Sequence, residues 1–487
     1  MTKRLLTICL LAVSINAAAD SIRTADGTYL PGEGDISVSV YRTTEKKAFC
    51  EIPTTPFTVH RYSLRKPIDI DSAEVRGRFE GLGVAMTDAS AWLLSHMPQD
   101  KRDALLEAVF SPEKGAGLRG IRLNIGSSDY STALYTYDDV AGDVDMKHFD
   151  ISRDDNWLFP MVREALKVNP EAFLFAAPWS APGWMKDTGE FVDGHFKDGM
   201  EQAMANYLAA YVEACAQRGL NLRAVSVNNE VDLSTHGTYP SCVYSAKQES
   251  DVVKLLRRNL DRKKLGTGIW LYDHNYNGAF SRVAGQLADP QLRKSISGIA
   301  WHSYSSGEEN LDLLRREYPG IPFYHTEQGP ALHDPSRTEN WWARRLRDAF
   351  ENGCETFTGW NLCLTPEGEP LTGPHLCMGL VTVDPDTGDF TPSAQYNLFR
   401  HIGPFVKPGA EVLRAEGDKD DMIVLLFRNP GDEYVLVAAC TGKAKGLDDR
   451  KWNEPRPRLY ISFAGEEKEL PMPYGCWSIT TMVFKKK

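Results

Sequence analysis

Between about residue 78 and residue 400, short apolar runs alternate with longer amphipathic stretches. The apolar runs show no polar alternation, as expected for strands of a parallel sheet that are buried on both faces. Eight runs are predicted as strands: Gly81–Met86, Gly120–Ile125, Ala172–Ala177, Arg223–Val227, Gly268–Tyr272, Ser297–Trp301, Pro322–His325 and Thr356–Trp360. The clearest of the helices predicted between them are Met200–Arg218, Lys247–Arg262 and Trp341–Asn352. This pattern predicts an α/β fold, a (β/α)8 TIM barrel.

The two ends of the chain show a different pattern, with strand-like runs that no helix separates. They are Met422–Phe427, Tyr434–Ala439, Leu459–Phe463, Ser478–Phe484, and residues 36–42 and 57–64. Because isolated strands leave unpaired edges, we expect the N-terminal pair to complete a C-terminal all-β sandwich. The predicted organisation is a signal peptide (1–19), N-terminal sandwich strands (20–77), a catalytic barrel (78–400) and a C-terminal β-sandwich (401–487).

Composition narrows the class of protein. The 487 residues are 42% hydrophobic and 25% charged, which suits a globular chain with a large core. Acidic residues (66) outnumber Lys plus Arg (55), giving a net charge of −11. We therefore expect no nucleic-acid partner. After the N-terminal region, no run approaches the roughly 18 apolar residues of a membrane span, and we predict no transmembrane segment.

The N-terminus predicts export. Lys3 and Arg4 precede an apolar run from Leu5 to Ile15, and Ala17–Ala19 follows, which is the order of a secretory signal with cleavage after Ala19. The mature protein is expected in the periplasm, at the cell surface or outside the cell. Eight of the nine cysteines lie after the signal, too few for a disulfide-built scaffold. Most are expected to be buried thiols, and Cys363 with Cys377 is the first pair to test for a disulfide.

Two glutamates stand where a barrel carries its chemistry, at the carboxyl ends of the strands. Glu230 follows the fourth predicted strand, and Glu327 follows the seventh. Carboxylates that face each other across a glycosidic bond allow one to protonate the leaving oxygen and the other to attack the anomeric carbon. For either residue alone, an ion pair with a neighbouring arginine is an equally good interpretation.

The remaining strand ends are polar and aromatic, as a sugar site requires. They carry Thr87-Asp88, Gly126–Asp129, Pro178–Ser180, Asp273–Asn275, His302–Tyr304 and Trp360-Asn361. Gly115–Gly120 fits GxGxxG but precedes a strand, so it does not predict dinucleotide binding. The chain has no GxSxG, Walker or HExxH motif. We predict no metal or organic cofactor.

These segments together resemble glycoside hydrolase family 30, which includes glucosylceramidases and β-1,6-glucanases. The resemblance covers nearly the whole mature chain and is most specific in the tryptophan-proline segment. The matching segments are Gly81–Ala89, Ile121-Arg122, Gly126–Ser131, Ala177–Lys186, Asn229-Glu230, His302, Thr326-Glu327 and Trp360–Leu362.

The resemblance implies a retaining mechanism in which Glu230 is the acid/base and Glu327 the nucleophile. It also implies six substrate-binding residues and Arg122 as a supporting residue beside the nucleophile. The six are Asp88, Trp179, Asn229, His302, Tyr304 and Trp360. As an acid, Glu230 needs a raised pKa, which we expect from burial and from the charge on Glu327.

Three residues depart from the family pattern: Val231 replaces a proline, Ser303 an aromatic residue, and Gly359 an acidic residue. We expect them at the mouth of the site, where they bear on substrate choice.

The sequence predicts an exported endo-β-1,6-glucanase acting on β-linked glucan. The alternatives are a glucosylceramidase or broad β-glucosidase, and a catalytically silent glycan-binding protein. Oligomeric state stays open.

Overall fold

A computed structural model describes residues 36–51, 58–59, 67–415, 422–441, 458–464, 466–472 and 476–486. The predicted signal peptide, together with residue 57 and residues 60–64 of the second predicted N-terminal strand, lies outside these ranges. The described N-terminal part forms five strands: β1 (Ile36–Thr44), β2 (Lys47–Glu51), β3 (Thr58–Val59), β4 (Ile68–Asp69) and β5 (Val75–Phe79).

Eight parallel strands follow and form the predicted barrel. They are β6 (Gly81–Ala85), β7 (Gly120–Ile125), β8 (Phe173–Pro178), β9 (Leu222–Ser226), β10 (Gly268–Asn275), β11 (Gly298–His302), β12 (Phe323–Glu327) and β13 (Thr356–Gly359). Their order in the sheet is β12-β11-β10-β9-β8-β7-β6-β13. Isolated parallel bridges from Phe323 to Cys354 and from Gln328 to Gly359 join its two ends, so the barrel is nearly closed.

Helices connect these strands and bury their apolar faces against them. They are α1 (Asp88–His96), α2 (Gln99–Phe110), α3 (Leu158–Val168), α4 (Glu201–Gln217), α5 (Ala246–Arg262), α6 (Ala284–Leu287), α7 (Pro290–Ser295), α8 (Glu308–Glu317), α9 (Glu339–Glu351) and α10 (Ala394–Ile402). The longest, α4 and α5, lie within two residues of their predicted bounds. No helix in the described ranges is both long and apolar enough to cross a membrane.

A small three-stranded sheet follows the last barrel strand, and the chain then forms the C-terminal strands of the sandwich. The small sheet contains β14 (Cys363–Leu364), β15 (Val381–Val383) and β16 (Phe390–Pro392). The C-terminal strands are β17 (Ala410–Leu413), β18 (Met422–Asn429), β19 (Glu433–Cys440), β20 (Arg458–Phe463), β21 (Glu466–Pro471) and β22 (Ser478–Lys486).

Both chain ends build the sandwich, as predicted. The larger sheet has the order β2-β1-β22-β19-β18-β17-β5, and the smaller one has the order β3-β21-β20-β4. Alternate residues of β18 face different cores: Val424 and Leu426 pack towards the smaller sheet, whereas Leu425 and Phe427 belong to the barrel core. Because both faces of β18 and β19 are buried, these two central strands of the larger sheet are nearly continuous apolar runs.

Two sequence expectations need correction. The fifth barrel strand extends beyond Tyr272 to Asn275, and a bulge interrupts its pairing with β11 between Tyr272 and His274. The cysteine pair is not bonded, since Cys363 and Cys377 are both free thiols. The thiol of Cys363 lies 3.6 Å from the backbone oxygen of Ser90. The domain boundaries themselves remain a prediction.

Candidate active site

The two predicted glutamates meet at one histidine at the carboxyl end of the barrel. Glu327 is the last residue of β12, and Glu230 follows β9 after a three-residue link. Nδ1 of His302 lies 3.3 Å from Oε1 of Glu230, and Nε2 of His302 lies 3.9 Å from Oε2 of Glu327. Closure of the barrel therefore brings together two carboxylates that are far apart in the sequence.

Local backbone irregularities aim the side chains of this site. Asp273 forms the bulge in β10 with a φ of 53°, and Glu230 has a φ of 51°. A second register shift lies between Trp301 and His302, where β11 pairs with β12. Bulges redirect side chains that a regular strand would place alternately on opposite faces. Left-handed backbone at non-glycine residues is costly, so the surrounding contacts must hold it.

Arg122, on β7, is the buried cation of the site. Its guanidinium donates hydrogen bonds to Oε2 of Glu327, to Oδ1 of Asn229 at 2.8 Å and to Oδ2 of Asp273 at 2.9 Å. Burial disfavours the charge, but the carboxylates of Asp273 and Glu327 outweigh burial and raise the pKa of Arg122. The arginine therefore fixes the orientation of Glu327 and compensates its charge.

Tyr304 holds the other oxygen of Glu327. Its hydroxyl donates to Oε1 of Glu327 at 2.9 Å and accepts a hydrogen bond from the backbone N–H of Gly329 at 3.1 Å. The tyrosine residue is 43% exposed. Tyr304 thus combines a hydroxyl on the predicted nucleophile with aromatic surface available to a ligand.

Two tryptophans form one wall beside Arg122. Trp179 and Trp360 stack with ring centroids 5.0 Å apart, and the carbon of the Arg122 guanidinium lies 4.9 Å from the Trp179 ring centre. Each tryptophan is 3% exposed. Both are therefore at the predicted place, but they present only a small part of their rings to solvent.

Asp88 does not join these residues. Its two oxygens accept hydrogen bonds from Nε1 of Trp157 at 2.7 Å and from the backbone N–H of Thr132 at 2.7 Å, and the residue is 1% exposed. Because Thr132 and Trp157 both follow β7, these hydrogen bonds hold the loop after β7 against Asp88. The structure therefore gives Asp88 a place in the loop framework, and its sugar contact stays a prediction.

Asp129 is a second strand-end carboxyl, and it lies near the two glutamates. Its carboxyl is buried, and its Oδ1 has no hydrogen-bond partner among the described residues. Burial and the charges on Glu327 and Glu230 raise the pKa of Asp129 well above its ordinary value. A carboxyl of this kind can bind a sugar hydroxyl. The strand-end pattern contained Asp129, and its partners distinguish it from Asp88, whose two oxygens are both hydrogen-bonded.

The expected direction of the Glu230 pKa shift is wrong for the free protein. Burial raises this pKa, but hydrogen bonds and charge from His274 and His302 outweigh burial, so the pKa of Glu230 lies below its ordinary value. His274, whose Nε2 is 3.3 Å from Oε1 of Glu230, was not among the predicted site residues. The free Glu230 is therefore a carboxylate between two imidazoles.

The three departures from the family pattern are buried behind the site. Val231 and Ser303 are each 1% exposed. The hydroxyl of Ser303 donates to Oε1 of Gln328 at 2.6 Å, next to Glu327. A Cβ on Gly359 would lie 3.1 Å from the side-chain amide of Gln395, so a larger residue there would require Gln395 to shift. These residues adjoin the site but do not form its open surface.

Comparisons with known proteins show the family of the chain. The model of the glycosyl hydrolase family 30 TIM-barrel domain matches residues 79–407. An endo-1,6-β-D-glucanase from Neurospora crassa is 28% identical over 403 residues, which cover 75% of this chain and 82% of that enzyme. The lysosomal acid glucosylceramidase of Mus musculus is 25% identical over 438 residues, covering 85% of this chain and 84% of that enzyme.

A solved structure supports the fold over a larger share of the chain. The crystal structure of SrfJ from Salmonella typhimurium superposes with a TM-score of 0.82 at 22% identity. The superposition covers 93% of this chain and all of SrfJ. The arrangement of barrel and sandwich is therefore shared well beyond the matched barrel domain.

Proposed function

Because the chain belongs to glycosyl hydrolase family 30, a family of retaining glycoside hydrolases, we propose that it is an exported endo-β-1,6-glucanase. The observation that carries the proposal is the meeting of Glu230 and Glu327 at the imidazole of His302. In this proposal Glu327 is the nucleophile and Glu230 the acid/base. The substrate is a β-linked glucan, and the predicted signal peptide accounts for export.

The contacts of Glu327 suit a nucleophile. Arg122 and Tyr304 each bind one of its oxygens, so the carboxylate is held in one orientation before it attacks the anomeric carbon. The attack forms a covalent glycosyl-enzyme, which a water molecule then hydrolyses. Arg122 stays charged throughout, because Asp273 remains its partner when Glu327 becomes an ester.

The contacts of Glu230 suit a group that must give and regain a proton. Its carboxylate lies against His274 and His302, each 3.3 Å away. Glu230 gives a proton to the leaving oxygen in the first step and takes one from the attacking water in the second. Asp129, Asn229, Trp179 and Trp360 are proposed to bind the sugar next to the cleaved bond.

The proposed linkage rests on the relatives. The Neurospora crassa enzyme is an endo-1,6-β-D-glucanase, and its similarity covers most of both chains. Glucosylceramide hydrolysis is the second candidate, because the mouse relative is a glucosylceramidase of similar coverage. Both candidates need the same two glutamates and differ in what the outer part of the cleft accepts.

A substrate panel tests the proposal. Purified protein is incubated with pustulan, with β-1,3- and β-1,4-glucans, with glucosylceramide in detergent and with aryl β-glucosides, and Glu327→Gln protein serves as the control. Release of β-1,6-linked oligosaccharides from pustulan supports the endo-glucanase. Cleavage of glucosylceramide, or glucose release from aryl glucosides alone, would replace it with the second candidate. Turnover of any of them would exclude a catalytically silent glycan-binding protein.

A further inference from the structure

Glu230 lies at the centre of a chain in which carboxylates and imidazoles alternate. On one side, His302 binds Glu230 through Nδ1 and lies 3.2 Å from Oδ1 of Asp273 through Nε2. On the other side, His274 lies 3.3 Å from Oε1 of Glu230 through Nε2 and 2.5 Å from Oδ1 of Asp232 through Nδ1. Each imidazole is therefore held between Glu230 and an aspartate.

The two arms differ in their access to solvent. The side chains of His302 and Asp273 are 0% and 1% exposed, and Asp273 is also bound by Arg122. The side chains of His274 and Asp232 are 13% and 38% exposed. Of the two arms, only the one that contains His274 reaches solvent, and the side chain of Glu230 itself is 13% exposed.

The surroundings of His274 favour a proton on both of its nitrogens. Each nitrogen lies against a carboxylate oxygen, and an imidazole can donate from both nitrogens only when it is charged. Burial lowers the pKa of His274, but hydrogen bonds to Asp232 and Glu230 outweigh burial and raise it to about 10.

The other charged or titratable neighbours of this arm are few. The His302 ring faces His274 at 6.2 Å and the Tyr272 ring at 5.7 Å between centres. Arg282 lies 3.9 Å from Asp232, but it is bound more closely by Glu249 at 2.8 Å.

We propose that His274, oriented by Asp232, holds the proton that Glu230 delivers during catalysis and exchanges it with solvent. This inference rests on the proposed acid/base role of Glu230. In the first step the proton leaves Nε2 of His274 for Glu230, and Glu230 protonates the leaving oxygen as the glycosidic bond breaks. In the second step Glu230 takes a proton from the attacking water and returns it to His274. His274 gives up one proton in the first step and regains one in the second, so the cycle balances without a co-reactant.

The kinetic test separates proton supply from structure. In the Asp232→Asn variant we expect kcat/KM for phenyl β-glucoside, whose leaving group needs a proton, to fall by about tenfold or more. For 2,4-dinitrophenyl β-glucoside, whose leaving group needs none, it should change less than about twofold. The alkaline limb of kcat/KM for the phenyl substrate should move to lower pH. Equal losses on both substrates with an unchanged pH profile would overturn the proposal.

The matched control is another histidine next to an aspartate. His148 lies 2.9 Å from Asp143, is largely exposed and contacts none of the site residues named above. His148→Gln should leave both substrates and the pH profile unchanged.

A second measurement does not depend on turnover. Nitrogen-15 NMR of the imidazoles, with His274 assigned from its loss in His274→Gln, reports whether the ring is charged. We expect His274 to be charged in the wild type at about pH 8 and to titrate at lower pH in Asp232→Asn. A neutral His274 in the wild type at that pH would overturn the proposal even if the protein cleaves no glucoside. A charged His274 in a protein that cleaves neither the two glucosides nor pustulan would count against the proposed function alone.

Discussion

Glu327 has both oxygens engaged in the free protein, by Arg122 and by Tyr304. Such a carboxylate is already oriented for attack and loses little conformational entropy when a sugar binds. Its loss should therefore affect chemistry more than folding, since Arg122 keeps Asp273 and Asn229 as partners.

At the residue scale, we predict that Glu327→Gln lowers turnover by about 10⁴-fold because the amide cannot act as the nucleophile. The free energy of unfolding should change by less than about 1 kcal/mol. Mass spectrometry of wild-type protein treated with an activated fluoroglucoside should find the sugar on Glu327. A label carried only by another residue would contradict the assignment.

Glu230→Ala should lower kcat on substrates with poor leaving groups by about 10² to 10⁴-fold, the usual contribution of a general acid. Azide should restore cleavage of a substrate whose leaving group needs no proton, and the product should be a β-glycosyl azide. The anomeric configuration is read by NMR. An α product, or no rescue, would argue against a retaining acid/base.

At the scale of elements, close packing of strands sets the shape of the barrel that presents both glutamates. Gly83 on β6 lies against Gly120 on β7 and Thr358 on β13. A Cβ on Gly83 would lie 2.8 Å from the backbone oxygen of Gly120 and 3.1 Å from its Cα. The neighbouring backbone cannot move without disturbing the sheet.

Gly83→Ala should therefore lower the free energy of unfolding by about 1 to 3 kcal/mol, as overpacking usually does. Urea denaturation followed by tryptophan fluorescence measures the change. Gly266→Ala is the matched control, because a Cβ there has nothing within 4 Å. Equal stability of the two variants would show that the barrel tolerates the added methyl group.

At the scale of the whole molecule, a buried histidine joins the barrel to the sandwich. His401, the penultimate residue of α10, lies 2.8 Å from the hydroxyl of Thr481 on β22 and 2.8 Å from that of Thr43 on β1. Burial, with the charges of Arg400 and Arg42, lowers the pKa of His401 to about 3. The histidine is neutral in the folded protein over the ordinary pH range.

This histidine predicts an acid-sensitive contact between the two parts. Below pH about 6.5 the unfolded chain binds a proton at His401 that the folded chain does not bind until about pH 3. The neutral His401 therefore contributes its full stabilisation above about pH 6.5. Between about pH 6.5 and about pH 3, the free energy of unfolding falls by up to about 1.4 kcal/mol for each unit by which the pH drops. His401→Gln should reduce the slope of unfolding free energy against pH between these values, whereas exposed His333→Gln should not. Parallel slopes for His401→Gln and wild type would refute the prediction.

The hydrophobic pattern along the sequence predicts the architecture, because burial of a strand constrains the residues of that strand directly. Strands buried on both faces must be continuous apolar runs, so all eight barrel strands were recognisable, and most bounds agree within one or two residues. The N-terminal strand at 36–42 was predicted to join the sandwich, and it pairs with β22. The sequence did not predict β5, at the edge of the larger sheet, or β17, which lies next to it.

The position of a residue after a strand also predicts a set of site residues, and the structure brings them together: Glu230, Glu327, Trp179, Trp360 and His302. The direction in which a side chain points was decided only by the tertiary structure. Asp88 and Asp129 both follow barrel strands, but Asp88 is bound by Trp157, whereas burial and the charges of the two glutamates raise the pKa of Asp129. The bulge at Asp273 and the left-handed backbone at Glu230 depend on contacts between separate strands, and those contacts also lower the pKa of Glu230. The pKa of a group depends on all the charges that lie near it in space, and the sequence does not show which residues are close to one another in the fold.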